Sequence, residues 1–346
     1  MLKILHAADL HLDSPFAAFS PEEAARMRGL QRQIPMELAR LCREKQCDLL
    51  LLAGDVFDGV QVYPETVEAL KTAFIQCGAE VFIAPGNHDP ATLNSVWRKE
   101  QWPQNVHIFT GDMTSVTLSD KQCRVWGAAF RDVQAYDLLQ PIPKAEDGFW
   151  EVGVFHGDPV NPGGYHPISA QTLSSCGLDY LALGHIHKAS TMEKAGKTHY
   201  GWPGCPMGRG FDECGEKGVW YVELGESCRQ EFLPLSFPRY EILSLNVQDL
   251  TIPKGVEGSI CCLILTGESE PVDVEAVEAE LAHHFCRLEV RDATTPPRDL
   301  WAGCGQQTLR GQALAYLKER AAEEEETLIE QAVRCLLAAL EGREQP

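Results

Sequence analysis

Short apolar runs and helical apolar spacings take turns along the first part of the chain. Three runs, "LKILHAAD" (2–9), "CDLLLLAGD" (47–55) and "AEVFIAPG" (79–86), are continuous, apolar and closed by turn residues. That is the pattern of buried strands. Between them, 20–46 and 63–78 carry apolar residues at helical spacing. Ser20 is placed to cap the first helix, Pro35 to kink or restart it, and Gly78 to end the second. Strands alternating with helices predict a layered α/β fold of stacked strands.

Further along, strands dominate. "SVTLSDKQCRVWGAAF" (115–130) predicts a hairpin turning at Ser119–Lys121, and "GVWYVELGESCRQEFLPL" (218–235) another at Gly225–Ser227. "EVGVFHGD", "DYLALGHIHK" and "THYGWPG" read as further strand ends. After "SFPRYEIL" the composition shifts. Residues 239–294 read as strand, strand, helix, strand, a small α+β unit. Pro296-Pro297 marks a linker, and the chain from about Gln307 is helical. One apolar stripe is expected at Leu309, Ala313, Tyr316 and Leu317. A second is expected at Ile329, Val333, Leu336, Leu337 and Leu340. The Glu323–Glu326 run between them reads as a solvated face. The expected domains are 1–238, 239–297 as a cap, and 298–346 as linker and tail.

Composition narrows the class. A chain of 346 residues, 44% hydrophobic and 8% aromatic, can bury a sizeable core without staples. Its formal net charge of −20 argues against a general nucleic-acid coat protein, while leaving room for a local basic groove. The 13 cysteines contain no CxxC and sit mostly singly in apolar segments. They read as reduced, buried thiols; Cys205 and Cys214 could pair or bind metal, with free thiols the favoured reading. No secretory signal is visible and the longest apolar run is too short to span a bilayer. The expectation is a cytoplasmic protein without membrane contact.

The strand ends carry the chemistry. Asp9 and His11 follow the first strand, and period-two geometry puts them on one side. Asp55 follows the second, with Asp58 three residues later. Asn87, His88 and Asp89 follow the third, His156 ends "VGVF", and His185 and His187 follow "YLALG". Turn chemistry explains Asp and Asn but has no special need for His. In layered α/β folds ligands gather at the carboxyl ends of strands. Asp, His and Asn together suit Mn²⁺, Fe²⁺ or Zn²⁺ better than a thiolate site would. His6, His107, His166, His199, His283 and His284 read as ordinary surface or core groups.

The blocks "DLH", "GDVFD", "GNHD", "FHG" and "GHIH", in this order, resemble the calcineurin-like metallophosphoesterases over roughly residues 5–190. "ILHAADLHLDSPF" and "WPGCPMGRGFDECGEKG" are similar to the DNA-repair exonuclease branch, the nuclease subunits of SbcCD-type complexes, and within it to YhaO-type proteins. The resemblance implies a four-layer α/β/β/α sandwich with a small α+β cap domain and a helical C-terminal tail. It implies two divalent metal ions, Mn²⁺ first and Fe²⁺ or Zn²⁺ next. Asp9, His11 and His187 would hold one; Asn87, His156 and His185 would hold the other; Asp55 would bridge them. His88 would face the scissile phosphate, with Asp89 setting its orientation and basicity. Asp58 could be an acceptor behind a ligand or a further ligand itself, the direct metal role being the less favoured of the two. Arg131 and Arg209 are candidates to touch phosphates, and Trp202 and Phe211 either stack on a base or pack in the core. The implied partners are DNA and a coiled-coil ABC-type ATPase gripped by the C-terminal helices, with room for a homodimer. A phosphodiesterase or phosphatase on another substrate, and a non-catalytic scaffold, stand as alternatives. The intact ligand set speaks against the scaffold, and the acidic charge speaks somewhat against DNA.

Overall fold

The computed structural model describes residues 1–143, 148–296, 299–321 and 326–342. Two compact units divide the chain. One comprises Met1–Arg209 with Glu216–Phe237, the other Gly210–Gly215 with Pro238–Pro346. The first unit runs β1 (Leu2–Ala7), α1 (Pro21–Gln31), α2 (Ile34–Lys45), β2 (Leu49–Leu52), α3 (Pro64–Gln76), β3 (Glu80–Ile83), α4 (Val96–Lys99) and β4 (Val106–Ile108). It continues with β5 (Thr114–Leu118), β6 (Cys123–Gly127), β7 (Trp150–His156), α5 (Ala170–Ser175), β8 (Tyr180–Gly184), β9 (Glu193–Ala195), β10 (Thr198–Gly201), β11 (Gly218–Leu224) and β12 (Cys228–Pro234).

Two mixed six-stranded sheets form an α/β sandwich. Their orders are β12-β11-β1-β2-β3-β4 and β5-β6-β7-β8-β10-β9. The three apolar runs become parallel neighbours, β1 on β2 on β3. Leu49, Leu51, Phe82, Val152, Val154, Tyr180 and Trp220 fill the core between the sheets. Alternation turns Leu50 and Leu52 to the opposite face, and both are buried, as are Leu38 of α2 and Leu70 and Phe74 of α3. On the second sheet Phe155, Leu181 and Leu183 pack with Leu173 of α5 and with Cys176 just after it.

Local signals behave as their chemistry requires. Ser20 and Glu23 form a reciprocal capping box at the start of α1. Pro35 lies in the first turn of α2, where its missing N–H costs nothing. Both expected hairpins form, β5–β6 and β11–β12. Trp202 is buried, with its indole N–H on the Lys188 carbonyl at 3.0 Å, so core packing accounts for it. No cysteine is in a disulfide, and Cys214 is exposed where a buried thiol was expected, while Cys205 is buried. No helix among the described residues is long and apolar enough to cross a membrane. The short elements α4, β4, α5 and β9 had no sequence pattern of their own; their three to six residues carry too few periods to register.

The second unit contains β13 (Tyr240–Asn246), β14 (Ile260–Thr266), α6 (Val274–Leu281), β15 (Arg287–Asp292), α7 (Leu309–Arg320) and α8 (Glu326–Glu341). Its three strands form a wholly parallel sheet, β13-β14-β15. Leu281 of α6 joins Cys261, Leu263 and Leu265 in its core. Phe211 meets Tyr240 edge-on at 5.1 Å. The helices α7 and α8 share a small core of Leu300, Leu314, Ile329, Val333 and Leu337. The second expected stripe is buried through Ile329, Val333 and Leu337. The first is buried only in part: Leu317 packs against that core, Leu309 and Tyr316 are exposed, and Leu314 points inward instead. Pro297 of the expected linker and Glu323–Glu325 of the acidic run lie outside the described residues.

His6 links the two sheets. Its Nε2 donates to the Leu183 carbonyl at 2.9 Å, so its Nδ1 accepts from the Tyr180 hydroxyl at 2.8 Å. The ring is fully buried, and burial lowers its pKa to about 3. The folded chain therefore holds His6 neutral where the unfolded chain, near 6.5, takes up a proton. Stability from this group is full above 6.5 and is lost as pH falls toward 3. Between about pH 7 and pH 5 the wild-type chain should lose about 2 kcal/mol more than His6→Gln. Denaturant unfolding of both proteins at the two pH values measures this; parallel losses would refute it.

Candidate metal centre

The parallel pairing of β1 and β2 continues beyond both strands and builds the site. The amides of Asp9, His11 and Leu12 donate to the carbonyls of Gly54, Asp55 and Val56 at 3.1, 2.9 and 2.9 Å. The backbone there is not extended. Asp9, His11 and Asp55 have φ of 53°, 44° and 49°, and His185 has 97°. Left-handed residues of this kind cost about 1–2 kcal/mol each and gather at functional sites. The period-two argument for Asp9 and His11 is therefore corrected. They share a direction because of left-handed kinks pinned to the neighbouring loop, not because of a strand pleat. Gly54 has a φ of +88°, and a Cβ there would overlap the His156 ring; a Cβ on Gly86 would overlap the Asp55 carboxylate.

Three groups of metal-type ligand atoms lie close together: Asp9, His11 and His187; Asp9, Asp55 and His156; and His11, Asp58 and His88. Asp9, His11, Asp55 and His156 are almost fully buried. Asp58 accepts from His11 Nδ1 at 2.9 Å, which leaves the His11 Nε2 lone pair facing His187 Nε2 at 3.1 Å. The Ala53 carbonyl accepts from His156 Nδ1 at 2.9 Å. Nε2 of His156 then faces Asn87 Oδ1 at 2.9 Å and Asp55 Oδ2 at 3.2 Å. At His156 a nitrogen lone pair thus meets two oxygen acceptors, an arrangement that a bound cation or a proton resolves; His187, whose Nδ1 accepts from Arg209, turns its Nε2–H to His11. The donors are carboxylates, imidazoles and an amide oxygen, the set for a hard-to-borderline divalent ion. These clustered histidines and aspartates form a candidate dinuclear metal-binding site.

Without a cation, protons supply the balance. Burial pulls His156 down, but Asp55 and Asp9 outweigh it and hold the ring up at about 9. Burial favours a neutral Asp55, yet His156, His11 and His88 keep its carboxyl well below the usual range. His11 is lowered by burial against the pull of Asp58, and His185 by burial and the charge of His156. Bound metal replaces protons in such a cluster.

The remaining expected residues separate into two groups. Asn87 and His187 are in the cluster. The His185 ring stands beside His156 at 5.2 Å, while its backbone amide donates to Asp9 Oδ1 at 2.9 Å. The amide of His88 donates to Asp55 Oδ1 at 2.9 Å. Asp89 does not orient His88. Its carboxylate accepts the amides of Gly86, Val56 and Phe57 at 2.8, 2.9 and 3.2 Å and so ties two loops together. Burial and the charge of Asp55 push its pKa up to about 7. The oxygen facing His88 Nδ1 is the Asp58 carbonyl, at 3.2 Å. Of the two arginines, Arg209 reaches the cluster, with Nη1 on Asp58 Oδ1 at 2.6 Å and Nη2 on His187 Nδ1 at 3.2 Å. Arg131 instead forms an exposed pair with Asp112 at 3.1 Å.

Asp58 is the acceptor behind His11, as its place in "GDVFD" allowed. Two supports escaped the sequence reading. His166 Nδ1 donates to the His156 carbonyl at 2.7 Å, and its Nε2 accepts from the Leu138 amide at 3.2 Å. Gln31 donates to the His11 carbonyl at 3.0 Å. A lone His and a helical Gln carry no signal of such roles.

Two stacked mixed sheets with imidazoles and carboxylates converging at their strand ends define a phosphoesterase-type metal fold. The chain belongs to the calcineurin-like phosphoesterase family, whose model matches residues 2–189. It is similar to the uncharacterized metallophosphoesterase YhaO of Bacillus subtilis, at 32% identity over 64% of this chain and 57% of that one. It is similar to a subunit of the nuclease SbcCD of Escherichia coli, at 27% identity over 64% of each chain. It also resembles the DNA double-strand break repair protein Mre11 of Methanopyrus kandleri, at 25% identity over 84% of this chain and 71% of that one. The chain thus spans less than two thirds of the length of YhaO and of the SbcCD protein.

Asp55 stands between His156 Nε2, at 3.2 Å, and His11 Nε2, at 3.8 Å, so its loss should disturb both halves of the cluster. Asp55→Asn should lower metal content below that of Asp9→Asn, with both ions short of full occupancy. Elemental analysis of the purified variants is the measurement; two ions retained in Asp55→Asn would exclude a shared ligand.

Proposed function

We propose that this chain cleaves phosphodiester bonds in DNA, as the nuclease partner of a coiled-coil ABC-type ATPase. The observation that carries the hydrolytic part is the gathering of Asp9, His11, Asp55, Asn87, His156 and His187 in one connected cluster, with His88 beside it. In this reading Asp9, His11 and His187 would hold one ion, Asn87, His156 and His185 would hold the other, and Asp55 would serve both; the ions would be Mn²⁺. When bound, such a pair supplies a hydroxide nucleophile near neutral pH and charge for the phosphoryl oxygens. As the new P–O bond forms, the bond to the leaving oxygen breaks, and that oxygen needs a proton.

His88 is the group placed to give it. Its Nδ1 donates to the Asp58 carbonyl, which fixes the ring and leaves Nε2 for substrate. The side chain is 41% exposed, unlike the buried imidazoles of His11 and His156. As an imidazolium, it passes the Nε2 proton to the leaving alkoxide. His88→Ala should lower turnover by about 10²–10⁴ while metal content stays intact. Metal analysis and a Mn²⁺-dependent assay on one preparation test this, using single-stranded DNA, blunt duplex and a generic phosphodiester. Metal lost together with activity would make His88 a ligand; cleavage of the generic ester alone would remove DNA as substrate.

DNA as substrate draws support from the nuclease and repair names of the relatives, and the net charge of −20 requires that grip on DNA be local or supplied by the partner. The partner part of the reading draws on α7 and α8. They bury a core of their own yet leave Leu309, Tyr316, Leu328 and Leu340 exposed. A chain ending at Asp299 should keep its metals and its rate on a small phosphodiester but lose co-purification with the ATPase and ATP-stimulated DNA cleavage. Aggregation or metal loss on truncation would show that the helices complete the fold instead.

A further inference from the structure

A cleft of about 500 Å³ opens beside the metal centre, lined by Arg28, Asp58, Val60, Val62 and Tyr63 together with Asp13 and Pro15. The volume lies within the range of small-ligand sites, roughly 300–1,000 Å³. Asp58 joins it to the chemistry: its carboxylate holds His11 and Arg209, and its carbonyl holds His88. The charges in the wall decide what fits. Asp13 is spent, its oxygens taken by the Thr66 hydroxyl at 2.6 Å and the Tyr63 amide at 3.0 Å. Asp58 is spent on His11 and Arg209. Arg28 bonds only the Pro15 carbonyl, at 3.2 Å, and has no carboxylate partner among the described residues. The cleft therefore offers one cation, one aromatic ring, two valines and the Gln61 amide. Tyr63 is 47% exposed and Val60 76%. Arg32 lies over the Tyr63 ring at 5.4 Å, which holds it in place.

We propose that this cleft is a subsite for the nucleoside flanking the reacting phosphate, with Tyr63 stacking on the base and Arg28 taking the next phosphate. The proposal rests on the nucleic-acid reading above and adds the residues that set its specificity. Base–aromatic stacking tolerates every base, so the subsite selects for a nucleoside rather than for a sequence.

Two measurements test it separately. In the first, thymidine 3′,5′-bisphosphate is titrated calorimetrically into the full chain. Arg28→Gln and Val60→Glu should each weaken binding about fivefold or more, and unchanged affinity in both would overturn the subsite. The second compares thymidylyl-thymidine with the methyl esters of thymidine 3′-phosphate and 5′-phosphate. The ester lacking the nucleoside that fills the cleft should fall about tenfold or more in kcat/KM. Tyr63→Ala should close that gap and Tyr63→Phe restore it; a gap unchanged in Tyr63→Ala would overturn the stacking role. Bisphosphate binding that depends on Arg28, with no turnover of any diester, would support the cleft and refute the hydrolytic reading. Turnover indifferent to the second nucleoside would do the reverse.

Discussion

An ionised carboxylate buried between two imidazoles is the constraint on which the centre depends. Asp55 is 1% exposed and cannot keep its charge without the histidines around it. Everything nearby serves that placement. Gly54 and Gly86 give it room, the Asp89 carboxylate ties the 56–57 amides to Gly86, and the Asp55 backbone carbonyl anchors His11. The strain at left-handed Asp9, His11 and Asp55 is tolerable because the parallel backbone pairing of their two loops over-determines them.

Support then spreads outward through hydrogen bonds that fix tautomers. Asp58 and the Ala53 carbonyl each accept a hydrogen bond from the Nδ1–H of one histidine and so turn the Nε2 of His11 and His156 toward the cluster. That is how a site made of acceptors is kept ready for cations rather than collapsing into internal hydrogen bonds. His166 and His6 extend the scheme. The first holds the carbonyl of His156, the second the carbonyl of Leu183 just before the β8 loop. Both rings are lowered by burial, so neither competes for the charge the centre needs.

Asp58 also ties catalysis to recognition in the proposed scheme. One residue meets a ligand-type histidine, the histidine that faces substrate, an arginine and the wall of the cleft. An acidic chain can still handle a polyanion when its acidic groups near the site are already paired and one guanidinium is left over.

Five strand-end blocks were legible in the sequence because two simple rules act locally. Buried parallel strands read as continuous apolar runs, and metal-type residues have little reason to close them otherwise. Both hairpins, the Ser20 cap and the break before Pro35 were legible for the same local reason. Which side chain meets which was not. Asp89 stands next to His88 in the chain yet serves three amides, while Asp58, 30 residues away from His88, supplies its acceptor. Leu314 took the inward place expected of Leu309 and Tyr316 because the partner helix, not the stripe alone, chooses the buried face. The sequence by itself determined the elements, the ligand types and their order, since these follow from periodicity and donor chemistry. Only the tertiary structure decided tautomers, supporting partners and the cleft, because those depend on side-chain directions set by left-handed backbone and by neighbours distant in the chain.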